Sequence, residues 1–169
     1  MAEKAAIVVM GASGSGKSTV GVLLATALEL RFVDADTLHP ESNRMKMAAG
    51  FPLTDADRAP WLDAVAAVLA AGGVVVACSA LRRRYRDRLR LAAPDLQLVC
   101  LQGSAVLLAE RLAARRHDFM PAELLESQLT TLEPPQADER AIVVNITKLP
   151  AEIVRLVADR LQHGDRRDR

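Results

Sequence analysis

Short, uninterrupted apolar runs alternate along this chain with segments whose apolar residues recur at helical spacing. The first run, residues 5–10, ends at Gly11 and is typical of a strand that is buried on both faces of a parallel sheet. Four later runs rich in Val, Ile or Leu are further predicted strands, at 32–33, 74–78, 96–101 and 141–144. Strands that alternate with helices predict an α/β fold with a parallel sheet and right-handed crossovers.

The predicted helices follow from apolar residues at positions i, i+3, i+4 and i+7. This spacing covers residues 20–28, 61–69, 81–89, 106–112 and 151–161. The second of these helices is expected to begin near Pro60, because proline suits a first helical turn, and to stop at Gly72 and Gly73. Thr54, Asp55 and Asp57 carry a separate helix-start signal.

Length and composition indicate one soluble globular domain. The chain has 169 residues, half of them apolar, and 22 basic against 21 acidic side chains give a formal charge of +1. No repeat or linker divides it, so residues 1–162 are predicted to form a single domain and 163–169 a flexible tail. No signal peptide or membrane span is visible, and Cys78 and Cys100 lie in apolar runs, as expected for reduced thiols in a cytoplasmic protein.

A phosphate-binding loop is the strongest motif in the chain. Residues 11–18 fit G-x-x-x-x-G-K-[ST] at every fixed position, between a predicted strand and a predicted helix. Glycines allow successive N–H groups to point at phosphate oxygens, Lys17 is expected to reach the β- and γ-phosphates, and Ser18 to ligate Mg²⁺. A three-layer P-loop NTPase that uses ATP and Mg²⁺ is therefore predicted. The expected ATP-binding residues are Gly11, Ala12, Ser13, Gly14, Ser15, Gly16, Lys17, Ser18, Thr19 and, further along the chain, Arg111.

Two carboxylates after the second predicted strand are candidates for catalysis and metal binding. The third strand ends at Ser79 with no acidic residue, so the usual Walker B aspartate is missing there and a motor-type ATPase is disfavoured. Asp34 and Asp36, as residues i and i+2 of a strand, should point to the same side at its carboxyl end. Asp34 is predicted to support Mg²⁺, and Asp36 to bind the substrate hydroxyl and accept its proton.

At this point the sequence resembles a known family, the gluconokinases. The similarity spans residues 5–160 and extends well beyond the loop. It is carried by the segments DADTLHP at 34–40, KMAAGFPLTDADRAPWL at 46–62, CSAL at 78–81, YRD at 85–87, SQL at 127–129 and LEP at 132–134. The resemblance implies an adenylate-kinase-like fold with five parallel strands and a mobile lid, approximately at 111–135. It also implies ATP-dependent phosphorylation of D-gluconate to 6-phospho-D-gluconate, for sugar-acid catabolism or the pentose phosphate route, by a homodimer.

One segment departs from the family pattern. Where gluconokinases usually carry Arg-x-Gly-His-Phe in the lid, this chain reads RRHDF at 115–119, with the glycine replaced and His117 shifted by one position. Arg111, Arg115 and Arg116 nevertheless suit a lid that neutralises charge on the transferred phosphoryl group, and Arg115 is predicted to be catalytic. Arg111 and Arg115 stand at i and i+4, so a helix would present them together; a plain amphipathic helix is the alternative interpretation.

The substrate carboxylate calls for an arginine, since the guanidinium fork matches a carboxylate bidentately. Six arginines crowd residues 82–90, around an apolar seam of Leu81, Tyr85 and Leu89 that should pack on the sheet. Most of them are expected to be solvated. Arg84 and Arg44 are the candidates for the carboxylate, and His39 is expected either to contact substrate or to cap the helix after Pro40.

Two alternatives stay open. A kinase of shikimate or of nucleotides would use the same loop but gives no reason for the 46–62 segment. A nucleotide switch or a nucleic-acid-associated ATPase would draw on the arginines at 82–90. Near-zero net charge, five aromatic residues and the lack of an N-K-x-D signature disfavour that class, so neither a nucleic acid nor a membrane is an expected partner.

Overall fold

Five parallel strands form one sheet in the order β2-β3-β1-β4-β5 in the computed structural model, which describes residues 5–115 and 122–164. The strands are β1 Ala6–Met10, β2 Arg31–Asp34, β3 Val74–Ala77, β4 Gln97–Gln102 and β5 Ile142–Asn145. β1 pairs with β3 through Ala6 and Val74 and with β4 through Ile7 and Gln97. All four pairings are parallel, which confirms the predicted fold class.

Helices cover both faces of this sheet. They are α1 Lys17–Ala27, α2 Glu41–Ala48, α3 Asp55–Ala70, α4 Arg83–Ala92, α5 Ala105–Ala113, α6 Ala122–Thr131 and α7 Pro150–Gly164. Two single 3₁₀ turns occupy Ala35–Leu38 and Ala137–Glu139. None of the helices in the described residues is both long and apolar enough to cross a membrane.

The central strand separates two hydrophobic layers. Val8 and Met10 face the layer formed with α3 and α4, where Trp61 and Leu89 are buried. Ile7 and Val9 face the opposite layer, formed with α1 and α7. Because successive side chains of a strand point to opposite faces, burial of every residue of β1 requires an uninterrupted apolar run, as observed.

The helix α3 begins five residues earlier than the sequence pattern around Pro60 suggests. Thr54 is its N-cap: its hydroxyl accepts a hydrogen bond from Asp57 N at 3.2 Å, and the Asp57 carboxylate accepts one from Thr54 N at 2.9 Å. This capping box fixes the start at Asp55 and leaves Pro60 inside the helix. The start predicted near Pro60 is therefore wrong, and the signal at residues 54–57 is the correct one.

One arginine of α4 is buried, whereas the other five of the cluster at 82–90 are partly or fully exposed, in agreement with the expectation that most of them are solvated. Tyr85 and Leu89 pack into the core as predicted, but Arg86 between them is fully buried. Its guanidinium pairs with the buried carboxylate of Glu139, at 2.6 Å from Nε and 3.0 Å from Nη2. Its Nη1 donates to the carbonyls of Ala80 and Leu81 at 2.9 and 3.2 Å. Burial is possible because each of the three guanidinium nitrogens donates to an acceptor.

The two thiols are free and buried, as predicted, and burial raises the pKa of Cys78 to about 12 and of Cys100 to about 11. At the end of the chain α7 continues to Gly164, so the first two residues of the predicted tail are helical. Residues 165–169 lie outside the described part.

Candidate active site

The carboxyl ends of β1, β2 and β3 meet around one cavity of about 100 Å³. Loops that leave the strands supply part of its wall, and α3 and α6 close it from two sides. The lining residues are Ser13, Lys17, Asp36, His39, Met47, Phe51, Pro52, Leu53, Arg58, Trp61, Ser79, Leu81, Leu124, Ser127 and Gln128. This is the edge of an open parallel sheet at which ligands bind.

The phosphate loop wraps over the end of β1 in the shape its glycines permit. Gly14 has a φ of +84°, and a Cβ there would lie 2.9 Å from the Leu108 carbonyl oxygen, so this position requires glycine. α1 begins directly after the loop, at Lys17, and directs its N-terminal N–H groups and dipole toward the site. Ser15 Oγ is buried with no hydrogen-bond partner in the described residues, as expected of a donor set that awaits phosphate.

Lys17 and Asp36 lie in the same cavity and influence each other's ionisation. Burial lowers the pKa of Lys17, an effect opposed by the negative charges of Asp36 and Asp34 and assisted by the positive charge of Arg115. Lys17 Nζ donates to the Ala12 carbonyl at 3.1 Å. Desolvation in the cleft raises the pKa of Asp36, although part of its carboxylate faces solvent; Lys17 opposes this rise and Asp34 reinforces it.

The two aspartates reach the site by a different route from the one the sequence suggests. Asp34 is the last residue of β2, but Asp36 belongs to the 3₁₀ turn Ala35–Leu38, so the strand alternation of i and i+2 is wrong as their placement. Asp34 Oδ1 accepts a hydrogen bond from Asp36 N at 3.0 Å and thereby caps the turn. Its other oxygen accepts one from Ser18 Oγ at 2.8 Å.

Ser18 and Asp34 form a donor set that fits Mg²⁺. Both supply oxygen ligands, and the described residues contain no cluster of three or more His, Cys, Asp or Glu side chains that could hold a metal on its own. Mg²⁺ is commonly held by one or two protein oxygens together with nucleotide phosphates and water. The hydroxyl and carboxylate, already 2.8 Å apart beside the phosphate loop, match that pattern.

His39 does not cap α2, so that part of the expectation for this residue is wrong. Pro40 occupies the N-cap position, and the His39 ring turns inward and stacks on Trp61 with centroids 4.3 Å apart. The Asn43 amide nitrogen lies 3.2 Å from His39 Nδ1, which accepts its hydrogen bond. Burial, together with the positive charges of Arg58 and Arg44, lowers the pKa of His39 to about 4, so the imidazole is neutral at pH 7.

Arg58, rather than Arg84, is the arginine that lines the cavity. The Arg84 guanidinium is half exposed and pairs with Asp55 outside the cavity, which corrects its expected placement. Arg58 Nη1 donates to the Leu53 carbonyl at 2.7 Å and to Tyr85 Oη at 3.3 Å, and these contacts fix its orientation. Arg44 is exposed on α2, close enough to lower the pKa of His39. The sequence analysis missed Arg58, although it lies in the distinctive 46–62 segment.

The lid arginines separate at the end of α5. Arg111 is in the last turn of the helix and donates to the Ile146 carbonyl at 2.6 Å. Arg115 follows the helix, which ends at Ala113, so the two are not presented together by one helix as expected. Arg115 is exposed, and its positive charge contributes to the lowered pKa of Lys17. Arg116 and His117 lie outside the described residues.

The helix α6 contributes a contact that the sequence did not reveal. Gln128 Oε1 accepts a hydrogen bond from Ser13 N in the phosphate loop at 2.8 Å. Gln128 belongs to the SQL segment, which is its only sequence signal.

Thr19, the last residue of the phosphate-loop segment predicted to bind the nucleotide, is exposed in the first turn of α1.

Comparisons with known proteins place this fold and site in a family. A family model described as shikimate kinase matches residues 13–162. A gluconokinase of Gluconobacter oxydans is 46% identical over 94% of this chain and 92% of its own length, and a probable gluconokinase of Mus musculus is 46% identical over 92% and 97%. The crystal structure of a gluconokinase from Sinorhizobium meliloti 1021 has 51% identity and a TM-score of 0.85, covering 90% of this chain and 89% of that chain.

The family model carries the description of shikimate kinase, whereas the similar proteins above are gluconokinases. The similarity to the gluconokinases extends over 90% or more of this chain. The chain therefore belongs to the gluconokinase family, within the broader group of kinases that the shikimate kinase model describes.

Proposed function

We propose that this protein transfers the γ-phosphoryl group of ATP to the terminal hydroxyl of D-gluconate, with ADP and 6-phospho-D-gluconate as products. The observation that carries the proposal is one cavity in which Asp36, Lys17 and Arg58 meet beside the phosphate loop. Such a cavity offers a proton acceptor, a cation for the phosphates and a cation for a carboxylate. A sugar acid needs all three.

Asp36 is the proposed proton acceptor. The terminal hydroxyl oxygen of gluconate attacks the γ-phosphorus, the bond from that phosphorus to the β,γ-bridging oxygen breaks, and the hydroxyl proton passes to the Asp36 carboxylate. Burial in the cleft raises the pKa of Asp36, which makes its carboxylate a better base than an ordinary aspartate. Lys17 balances negative charge on the phosphates, and Arg115 does so from the lid.

Ser18 and Asp34 are the proposed ligands of Mg²⁺, which supplies charge neutralisation of the phosphates when bound. Gly11 to Ser18, with Thr19, form the proposed nucleotide cradle, and Arg111 the side of it nearest to the loop after β5. The proposed position of the nucleotide is on the phosphate-loop side of the cleft, and that of gluconate is between α2, α3 and the β3–α4 loop; the residues that line the cavity support this arrangement.

Arg58 is the proposed anchor of the gluconate carboxylate, in place of Arg84. Its Nη1 is already held by Leu53 and Tyr85, so the remaining donors have a fixed direction and lose little entropy on binding. His39, neutral and half of a stack with Trp61, provides a wall and a hydrogen-bonding edge without adding charge. Arg44 on α2 adds positive potential to the same side.

A shikimate kinase or nucleotide kinase activity is the alternative. The family model that matches this chain is described as shikimate kinase, which is the reason to test this alternative. ATP turnover should be measured with gluconate, shikimate and nucleoside monophosphates as separate acceptors. We expect gluconate-dependent ADP release, and its absence would contradict the proposal. Asp36→Asn should remove transfer and leave ATP binding largely intact, whereas Asp95→Asn, an exposed turn residue at the opposite edge of the sheet, should behave as wild type.

We also propose a cytoplasmic homodimer whose product enters sugar-acid catabolism or the pentose phosphate route, with no nucleic acid or membrane as partner. Support for the last point comes from the arginine cluster. Four of its six arginines are paired with carboxylates: Arg83 with Asp87 and Asp138, Arg84 with Asp55, Arg86 with Glu139 and Arg88 with Asp63. Sedimentation of the purified protein tests the dimer.

A further inference from the structure

The helix α6 forms a wall between two cavities at the carboxyl edge of the sheet. Leu124, Ser127 and Gln128 line the cavity that holds Asp36. Leu129 and the following Leu132 line a second cavity of about 310 Å³, whose other walls come from the phosphate loop at Ala12 and from the ends of β4 and β5. A displacement of α6 would therefore alter both cavities.

Gln128, near the C-terminal end of α6, is bonded to the phosphate loop. The hydrogen bond from Ser13 N to Gln128 Oε1, 2.8 Å long and partly buried, joins positions 115 residues apart in sequence. Ser13 stands between Ala12, whose carbonyl accepts a hydrogen bond from Lys17 Nζ, and Gly14, at which a side chain would collide with α5. A shift of the loop backbone at Ser13 must therefore either move Gln128 or break this hydrogen bond.

Glu133, just after the C-terminal end of α6, is bonded to the loop between β3 and α4 and to the start of α4. Glu133 N donates to the Leu81 carbonyl at 2.8 Å, and the Glu133 carboxylate accepts a hydrogen bond from Arg83 N at 2.7 Å. Arg83 is the first residue of α4, where the N–H has no partner within its own helix. Glu133 thus fixes the segment that carries Ser79 and Leu81 into the site cavity.

We propose that Gln128 and Glu133 are positioning residues that make nucleotide binding and sugar-acid binding mutually dependent. They stand five residues apart, and Leu132 N still donates to the Gln128 carbonyl at 2.9 Å, so the link between them is short and hydrogen-bonded. Nucleotide phosphates that settle the phosphate loop would settle α6 through Gln128, and α6 would settle the β3–α4 loop through Glu133. The inference rests on the proposed function, because it takes gluconate as the second ligand.

The direct test compares the dissociation constant of gluconate by calorimetry with and without a non-hydrolysable ATP analogue and Mg²⁺. In the wild type we expect the analogue to tighten gluconate binding about fivefold or more, and gluconate to tighten analogue binding by the same factor. Gln128→Met keeps the length of the side chain and removes the acceptor for Ser13 N. It should bring both factors below about twofold while the protein still unfolds cooperatively. Glu126→Ala, an exposed residue of the same helix, is the matched control and should keep the wild-type factor.

The second variant pair tests the other end of the link. Glu133→Ala should lose the coupling, and Glu133→Gln, whose amide oxygen still accepts from Arg83 N, should restore most of it; a merely structural role would not follow the acceptor in this way. Equal coupling factors in wild type and Gln128→Met, or a wild-type factor of one, overturn the inference. A wild type that neither binds nor phosphorylates gluconate instead overturns the proposed function, so the two failures are distinguishable.

Discussion

Removal of the buried ion pair between Arg86 and Glu139 provides a stringent stability test. Both side chains have no exposed surface, and the four hydrogen bonds of the guanidinium tie α4 to the turn before β5 and to the loop after β3. Arg86→Met retains most of the aliphatic volume and removes the main partner of the buried Glu139 carboxylate, which keeps the hydrogen bond from Gln136 N at 2.9 Å and the more distant Arg83 guanidinium at 3.8 Å. Burial alone would raise the pKa of Glu139, yet in the intact pair Arg86 holds it below its usual value.

The expected loss of unfolding free energy in Arg86→Met follows from leaving the Glu139 charge buried without its main partner. Breaking a buried pair by removing one partner costs about 3–5 kcal/mol. Since 1 kcal/mol corresponds to roughly 2–4 °C for a domain of this length, the melting temperature should fall by about 6–20 °C. The double variant Arg86→Met, Glu139→Gln removes the buried charge and keeps an acceptor for Gln136 N. We expect it to be more stable than the sum of the two single variants by about 1–3 kcal/mol.

Urea denaturation at pH 7, followed by circular dichroism, measures these differences as shifts of the midpoint at constant slope. Arg88→Met is the matched control on the same helix, because Arg88 pairs with Asp63 at the surface, where such pairs contribute about 0–1 kcal/mol. A loss below about 1 kcal/mol for Arg86→Met, or a double variant no better than the sum, would refute the reasoning.

Three further predictions concern ionisation, the loop and a helix start. The pKa of His39 is lowered to about 4, so the folded protein binds fewer protons than the unfolded chain between pH 4 and 6.5. The free energy of unfolding should therefore fall as the pH drops through that window, by at most about 3 kcal/mol. His39→Phe should flatten this decline in urea titrations, and an unchanged pH profile would contradict the prediction. Gly14→Ala, at φ +84° and 2.9 Å from a carbonyl, should raise the KM for ATP about tenfold or more in coupled assays, and wild-type kinetics would contradict the loop geometry. Thr54→Ala should cost about 1 kcal/mol in thermal unfolding, and no change would discount the capping box with Asp57.

The parts of the fold that the sequence predicts are those governed by local chemistry. A strand buried on both faces must be apolar throughout, so β1 and β3 are visible as runs of Val and Ile. The phosphate loop is visible because its backbone shape demands glycine at fixed spacing. The sequence predicts two starts for α3, one at residues 54–57 and one near Pro60. The structure has the first, where Thr54 forms the capping box, because proline is tolerated at several positions near a helix start and does not fix the first residue.

The contacts that the sequence could not reveal depend on partners distant in the chain. Arg86 is one arginine among six in its neighbourhood, and only the approach of Glu139, 53 residues later, makes its burial favourable. Arg58 and Gln128 line the cavity because of the way α3 and α6 pack, and the residues next to them in the sequence do not by themselves predict that position. The sequence predicts Asp36 from its chemistry but places it on a strand, since a short 3₁₀ turn such as Ala35–Leu38 has no clear sequence signature.

The pairing of β1 has a consequence for how the chain acquires its fold during synthesis. Ala6 lies opposite Val74, and Ile7 lies opposite Gln97, so during synthesis β1 has no strand partner until β3 has been made, and it lacks its second partner until β4 has been made. Such long sequence separations slow folding and leave apolar segments exposed in the meantime. Among the described strands, β1, which carries the phosphate loop, is therefore separated from its partners by the longest stretches of sequence. It is the strand that most needs protection from aggregation on the growing chain.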